Sequence, residues 1–152
     1  MVDKRISVAI GSDHAGFELK EALKNELKAM GYNIEDLGAF SPDPVDYPDV
    51  AKTVSEAVAI GKYDRGILIC GTGIGVTITA NKIKGIRAFA CSEPYSAKMA
   101  RAHNNANVLG IGARVVGLGT AVEIAQAFLD TQFEAGSRHE KRVDKINELD
   151  KC

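Results

Sequence analysis

The chain has 152 residues and a mass of 16.2 kDa, a length that suits one domain and leaves little room for two. Hydrophobic residues make up 45% and charged residues 26%, which excludes a wholly disordered chain. With 19 Lys and Arg against 20 Asp and Glu, the formal charge is −1, so no global charge draws the chain to nucleic acid or to an anionic membrane. The three cysteines, Cys70, Cys91 and Cys152, are too sparse for a disulfide-stapled secreted domain, and no C-x-x-C pair suggests zinc. The N-terminus MVDKRISVAI has no long apolar leader, and no segment approaches the ~18 apolar residues of a membrane span. The expectation is a soluble cytoplasmic protein with reduced thiols.

The pattern alternates between two periods along the chain. Ile6 to Ile10 is a short β-rich run closed by Gly11. Phe17, Leu19, Leu23, Leu27 and Met30 then share one helix face, with Lys and Glu on the other and Gly31 at the C-terminal cap. Asn33 to Leu37 is a second strand. The loop GAFSPDPVDYP holds three of the four prolines, which cannot donate to a strand ladder. Asp49 to Ile60 is a helix with Val50, Val54, Ala57 and Val58 facing inward. Gly66 to Cys70 (GILIC) is apolar throughout, as a strand covered on both faces is. A GTGIG loop and a short helix to about Lys82 follow. Ile86 to Cys91 is strand four and Pro94 to Asn104 helix four, with Pro94 in the first turn. Val108 to Ile111 is strand five, and Thr120 to about Phe133 is an apolar helix. Arg138 to Cys152 is charged but keeps Val143, Ile146 and Leu149 at helical spacing, as a helix packed on another surface would.

Strict β-α alternation implies a parallel sheet with right-handed crossovers and helices on both faces. Ligands in such folds bind beyond the carboxyl ends of the strands. That singles out the loops after Ile10, Cys70, Cys91 and Ile111.

The segment Cys70-Gly71-Thr72-Gly73-Ile74-Gly75 lies at a strand end and a helix start. Glycines admit close backbone approach, and free N–H groups there suit an anion, although a tight turn needs the same small residues. The spacing matches neither a dinucleotide loop nor a Walker loop. Cys70 sits where a helix start favours the thiolate, a nucleophile or a general base; the alternative is a buried strand cysteine, which is the reading for Cys91. Asp13 is a helix cap or a catalytic carboxylate, and His14 a phosphate contact or proton carrier. His103, Asn104 and Asn105 close helix four. Arg138 and Arg142 lie four apart on one helix face, as a phosphate grip or a solvated face, and Arg114 follows strand five. No residue set resembles a metal site. The sum suits proton transfer on a small phosphorylated substrate.

These residues resemble one family. GSDHAGFELK, VDYPDVA, GILICGTGIG with ANK after it, GIRAFACSEPYSAKMARAHNNANVLGIGARVVG and SRHEKRV resemble ribose-5-phosphate isomerase type B, in the family shared with galactose-6-phosphate isomerase subunits. The resemblance covers nearly the whole chain. It implies a Rossmann-like three-layer α/β/α sandwich with a five-stranded parallel sheet, forming one domain over 1–152. It implies a homodimer or homotetramer with shared active sites, with the helix from about 138 at the subunit interface. The implied reaction is metal-independent, cofactor-free interconversion of ribose 5-phosphate and ribulose 5-phosphate in the pentose phosphate pathway. By resemblance Cys70 is the base, Thr72 assists, and the Gly71, Gly73 and Gly75 loop holds an enediolate. His103 opens the sugar ring with help from Asp13. His14, Arg114, Arg138 and Arg142 hold the phosphate, and Tyr47 and Asn104 line the sugar site. His103, Asn104 and Arg114 are implied to come from a partner subunit.

Some family members lack the cysteine and carry Glu just after the last loop glycine; here that residue is Val76, so the chain falls in the cysteine subgroup. The usual S-I-A-A-N-K reads Thr77-Ile78-Thr79-Ala80-Asn81-Lys82, and the second Gly of G-G-R-H is Ser137. These departures bear on substrate preference more than on reaction type. Rival readings are an isomerase of allose or galactose 6-phosphate, and a flavodoxin-like binding or regulatory domain.

Overall fold

The computed structural model describes residues 6–151; Cys152 and the first five residues lie outside that range. Five strands, β1 (Ser7–Ser12), β2 (Asn33–Asp36), β3 (Arg65–Cys70), β4 (Ala88–Ala90) and β5 (Val108–Gly112), form one parallel sheet in the order β2-β1-β3-β5-β4. The helices are α1 (Phe17–Ala29), α2 (Tyr47–Ala59), α3 (Ile74–Ala80), α4 (Pro94–Asn104), α5 (Leu118–Asp130) and α6 (Arg138–Glu148), with a 3₁₀ turn over Leu149–Lys151.

Side chains alternate across a strand, so each central strand feeds two cores. Val8, Ile10, Ile67, Ile69, Leu109 and Ile111 pack against Leu23 and Leu27 of α1, Ala97 of α4 and Ile124 and Phe128 of α5. Ala9, Leu68 and Cys70 point the other way, against Val54 and Val58 of α2 and Val76 of α3. That is the physical reason for the unbroken GILIC run. Burying each large apolar side chain contributes about 1.5–3 kcal/mol. The three-layer α/β/α arrangement expected from the sequence is therefore present.

The chain runs from β1 outward to β2, then crosses back to β3 on the other side of β1. Strand order reverses there, which opens a crevice between the loops after β1 and β3. The Gly31 cap also holds: Gly31 has φ 93°, Tyr32 N–H donates to Leu27 O and Gly31 N–H to Lys28 O, closing α1 in a Schellman turn.

Several boundaries differ from the sequence reading. β1 runs past Gly11 to Ser12, because a parallel partner, β3, continues alongside. β4 shrinks to three residues, being an edge strand paired only with β5. Cys91 therefore follows the strand and is half-buried, not a buried strand residue. α2 begins at Tyr47, α3 ends at Ala80, α5 spans Leu118–Asp130 and α6 ends at Glu148. Lys20, expected on the outer face of α1, is fully buried. Its ammonium donates to both oxygens of Asp36 (2.8 and 2.7 Å) and to Ala39 O, tying the loop after β2 to the sheet. Among the described residues, no helix is long and apolar enough to cross a membrane.

Candidate active site

A cleft of about 470 Å³ opens at the strand-order reversal, lined by Asp13, His14, Ala15, Tyr47, Cys70, Gly71, Thr72, Ile74, Gly75, Ile78 and Arg114. Cys70 ends β3 and is buried, and its Sγ accepts the Gly73 N–H at 3.2 Å. Gly73 is itself buried and adopts φ 78°, the left-handed region, which turns the backbone so that its N–H meets the sulfur. A Cβ on Gly75 would strike the Tyr47 ring, so glycine there lets the tyrosine lie over the loop.

The loop is braced from both sides. Ala113 N–H donates to Cys70 O (2.9 Å) and Arg114 N–H to Gly71 O (3.0 Å), while Asp13 N–H reaches Ile69 O (3.2 Å). Asp13 Oδ1 accepts the Gly16 N–H at 3.0 Å, so this carboxylate does cap the turn entering α1 while it lines the cleft. His14 Nδ1 accepts the Val45 N–H at 3.3 Å, which leaves Nε2 to carry the proton and to donate to a ligand. Thr72 Oγ1 accepts the Ile74 N–H at 3.2 Å, leaving its hydroxyl hydrogen for a substrate oxygen. Arg114 is exposed and flanks Gly71 of its own chain. The backbone hydrogen bonds that join the end of β5 to the β3 loop set Arg114 at the rim of its own chain's cleft.

His103, Asn104, Arg138 and Arg142 do not line this cleft. They gather where α4 ends and α6 begins. His103 stacks on His139 with ring centroids 3.9 Å apart and planes 14° apart. Glu134 Oε2 lies 3.9 Å from His103 Nε2 and 3.6 Å from His139 Nε2. Burial first, then the charges of His103, Arg138 and Arg142, hold the His139 imidazole below its ordinary pKa against the pull of Glu134. Asn104 lines a separate pocket of about 310 Å³ with Arg87, Phe89 and Ile146. The thirteen residues singled out from sequence thus fall into two groups within one chain.

A family model described as ribose/galactose isomerase matches residues 8–146. The chain belongs to that family. It is 50% identical to ribose-5-phosphate isomerase B of Escherichia coli, over 94% of this chain and 95% of the relative. It is 48% identical to D-erythrulose-4-phosphate isomerase of Pectobacterium atrosepticum, over 93% of each. The Clostridium thermocellum ribose-5-phosphate isomerase B structure superposes with a TM-score of 0.92 at 49% identity, covering 96% of this chain and 98% of that one.

Sequence reasoning missed Glu134, His139, Lys20 and the Val45 backbone donor. His139 stood in the quoted R-H-x-x-R run, but nothing local tied it to His103. A lysine at a position facing the sheet, three residues before the buried Leu23, was the available signal for Lys20.

Proposed function

We propose that this chain is an aldose–ketose isomerase interconverting ribose 5-phosphate and ribulose 5-phosphate without a metal. The observation that carries the proposal is a buried cysteine whose sulfur accepts a backbone N–H at the floor of a cleft bordered by Arg114. The relatives named for ribose 5-phosphate support the substrate.

His103 protonates the ring oxygen as the bond from C1 to that oxygen breaks, and Asp13 takes the C1 hydroxyl proton. The product is the open aldehyde. The Cys70 thiolate then removes the C2 proton, the electron pair moves to the C1–C2 bond, and the carbonyl oxygen becomes an oxyanion. Backbone N–H groups of the Gly71, Gly73 and Gly75 loop stabilise this enediolate, where charge develops. Cys70 returns the proton to C1 while Thr72 passes a proton between the two oxygens, leaving the ketone at C2. His14, Arg114, Arg138 and Arg142 hold the phosphate, and Tyr47 and Asn104 the sugar hydroxyls.

The residues outside the cleft support a shared site. A second copy supplies His103, Asn104, Arg138 and Arg142 in a homodimer or dimer of dimers, with α6 and its half-exposed Ile146 at the contact. The whole chain acts as one domain, and a reducing cytoplasmic compartment suits a thiolate base. The Pectobacterium relative favours a second reading, in which a four-carbon 4-phosphate is the better substrate. Side-by-side kcat/KM on both sugars decides between them.

The base assignment is tested with Cys70→Ala. Loss of a general base lowers kcat by about 10²–10⁴-fold, while inorganic phosphate inhibition and the unfolding midpoint hold. A folded variant with near wild-type kcat refutes it.

A further inference from the structure

The cluster Glu134, His139 and His103 has no part in the chemistry above except through His103. It is built by a chain of hydrogen bonds. Glu134 N–H donates to Ala102 O (3.0 Å), one residue before His103 in the last turn of α4. Ser137 Oγ donates to Glu134 O (2.5 Å) and accepts the His139 N–H (3.2 Å), capping α6. The segment 134–139 is thereby fastened to the helix end that carries His103. On this frame His139, whose side chain is 12% exposed, stacks against His103, whose side chain is 37% exposed. The more buried ring backs the more accessible one.

The ligand atoms of the three side chains lie within 4.8 Å of one another, close enough to suggest a cation site. The stack argues against it. Lone pairs of an imidazole lie in the ring plane, so near-parallel rings send them side by side and not to a common point. Arg138 and Arg142 add positive charge beside the same rings. An arrangement that cannot chelate without breaking its own stack is suited to orienting a ring.

We propose that Glu134 and His139 are positioning residues for ring opening: His139 fixes the plane of His103 by stacking, and the Glu134 carboxylate, 3.9 Å from His103 Nε2, holds the edge of that ring. The inference rests on the assignment of ring opening to His103. It needs no contact between Glu134 or His139 and the substrate.

Sugar chemistry provides a readout that a general structural role would not move. Ribose 5-phosphate is a closed furanose and must be opened. Ribulose 5-phosphate has its C5 oxygen blocked by phosphate, so it is open-chain and enters isomerisation directly. Ring opening and ring closure are one step read in two directions, so a defect confined to it lowers net turnover equally both ways but spares exchange of the ribulose 5-phosphate C1 proton with D2O, which needs only Cys70 and the enediolate. His139→Ala and Glu134→Gln should lower kcat/KM on ribose 5-phosphate by about tenfold to a hundredfold, the cost of a misplaced catalytic group. Their rate of deuterium incorporation at C1 of ribulose 5-phosphate in D2O should stay within about twofold of wild type. His139→Phe, which keeps a ring to stack, should recover most of the loss caused by His139→Ala.

The same assays on His103→Ala separate the two levels of the argument. If His103→Ala loses turnover but keeps exchange while the Glu134 and His139 variants keep both, positioning is wrong while ring opening by His103 stands. If His103→Ala keeps turnover, or loses exchange as much as turnover, the ring-opening assignment fails and the inference falls with it. Equal losses of turnover and exchange, or a raised inhibition constant for inorganic phosphate, mean that the variants disturbed Arg138 and Arg142 instead, and overturn the proposal.

Discussion

Gly73→Ala isolates the backbone geometry that delivers an N–H to Cys70. Gly73 has φ 78°, where an alanine loses about 1–2 kcal/mol to contact between Cβ and the backbone. The new Cβ would also lie 2.9 Å from Ile111 C and 3.1 Å from Gly112 N. Those atoms belong to β5, which is paired along its length with β3 and cannot withdraw. Overpacking of this kind costs about 1–3 kcal/mol, so the total is about 2–5 kcal/mol. A domain of ordinary stability, about 5–15 kcal/mol, stays folded at 25 °C. The strain is relieved by moving the loop off β5, which carries the Gly73 N–H away from Cys70 Sγ. A hydrogen bond to a charged group contributes about 1.5–3 kcal/mol, so kcat should fall by about tenfold to 200-fold. Gly75→Ala is the control for stability alone. Its Cβ would come nearest the ring of Tyr47, which is 41% exposed and free to swing away, so the unfolding midpoint should hold. Urea unfolding midpoints and initial rates on ribose 5-phosphate test both variants. A Gly73→Ala protein with an unchanged midpoint, or one destabilised as calculated with wild-type kcat, refutes the reasoning.

Two further outcomes follow from the arrangement of the chain. Co-expressed Cys70→Ala and His103→Ala subunits, purified as a mixed dimer through two tags, should regain about half of wild-type activity, because one site collects both changes and the other neither. A mixed dimer as inactive as its parents refutes the shared site. Lys20→Met removes a fully buried ammonium and should destabilise the fold by about 3–5 kcal/mol, the cost of leaving a buried ion pair half broken. Burial raises the Asp36 pKa, but hydrogen bonds from Lys20, Lys24 and the Gly38 N–H outweigh it and hold the carboxyl below its usual 3.8. The stabilisation from a depressed carboxylate is complete above the unfolded value and is lost as pH falls through the folded one. Denaturation midpoints followed downward from about pH 5 should therefore fall more steeply for wild type than for Lys20→Met. Matching acid limbs in the two proteins overturn this account of Lys20.

The layers of the fold were legible because each element carries its own period. GILIC has no polar residue to expose, and Leu23 and Leu27 repeat at helix spacing, so both cores were visible before any coordinates. The Cys70 loop was legible because a glycine-rich turn at a strand end serves a local purpose. Strand boundaries were not, since Ser12 joins β1 only because β3 runs alongside it. Lys20 was read as a solvent-facing residue because its partner, Asp36, is sixteen residues away on another element. The place of Arg114 at the cleft was hidden for a related reason: it follows from the Arg114 N–H bond to Gly71 O, which joins the ends of two strands far apart in sequence. Glu134 carries no motif at all and acquires significance only from its distances to two histidines.

The division of residues between cleft and α4–α6 patch also bears on sugar length. In the proposed mechanism Cys70, Thr72 and the loop N–H groups act at C1 and C2, which are the same atoms in a four-, five- or six-carbon substrate. Relatives named for four- and five-carbon phosphates are 48% and 50% identical to this chain, as expected if they share that reacting end. Discrimination must then arise where the phosphate is held, because its distance from C1 is what changes with each carbon. His14 and Arg114 stand in the cleft with Cys70, whereas Arg138 and Arg142 lie outside it. A longer sugar carries its phosphate farther from Cys70, so the spacing between the cleft and the α6 arginines sets the length the enzyme accepts. If a second subunit supplies Arg138 and Arg142, as proposed, substrate preference is a property of subunit assembly, with the proton-transfer chemistry common to every length.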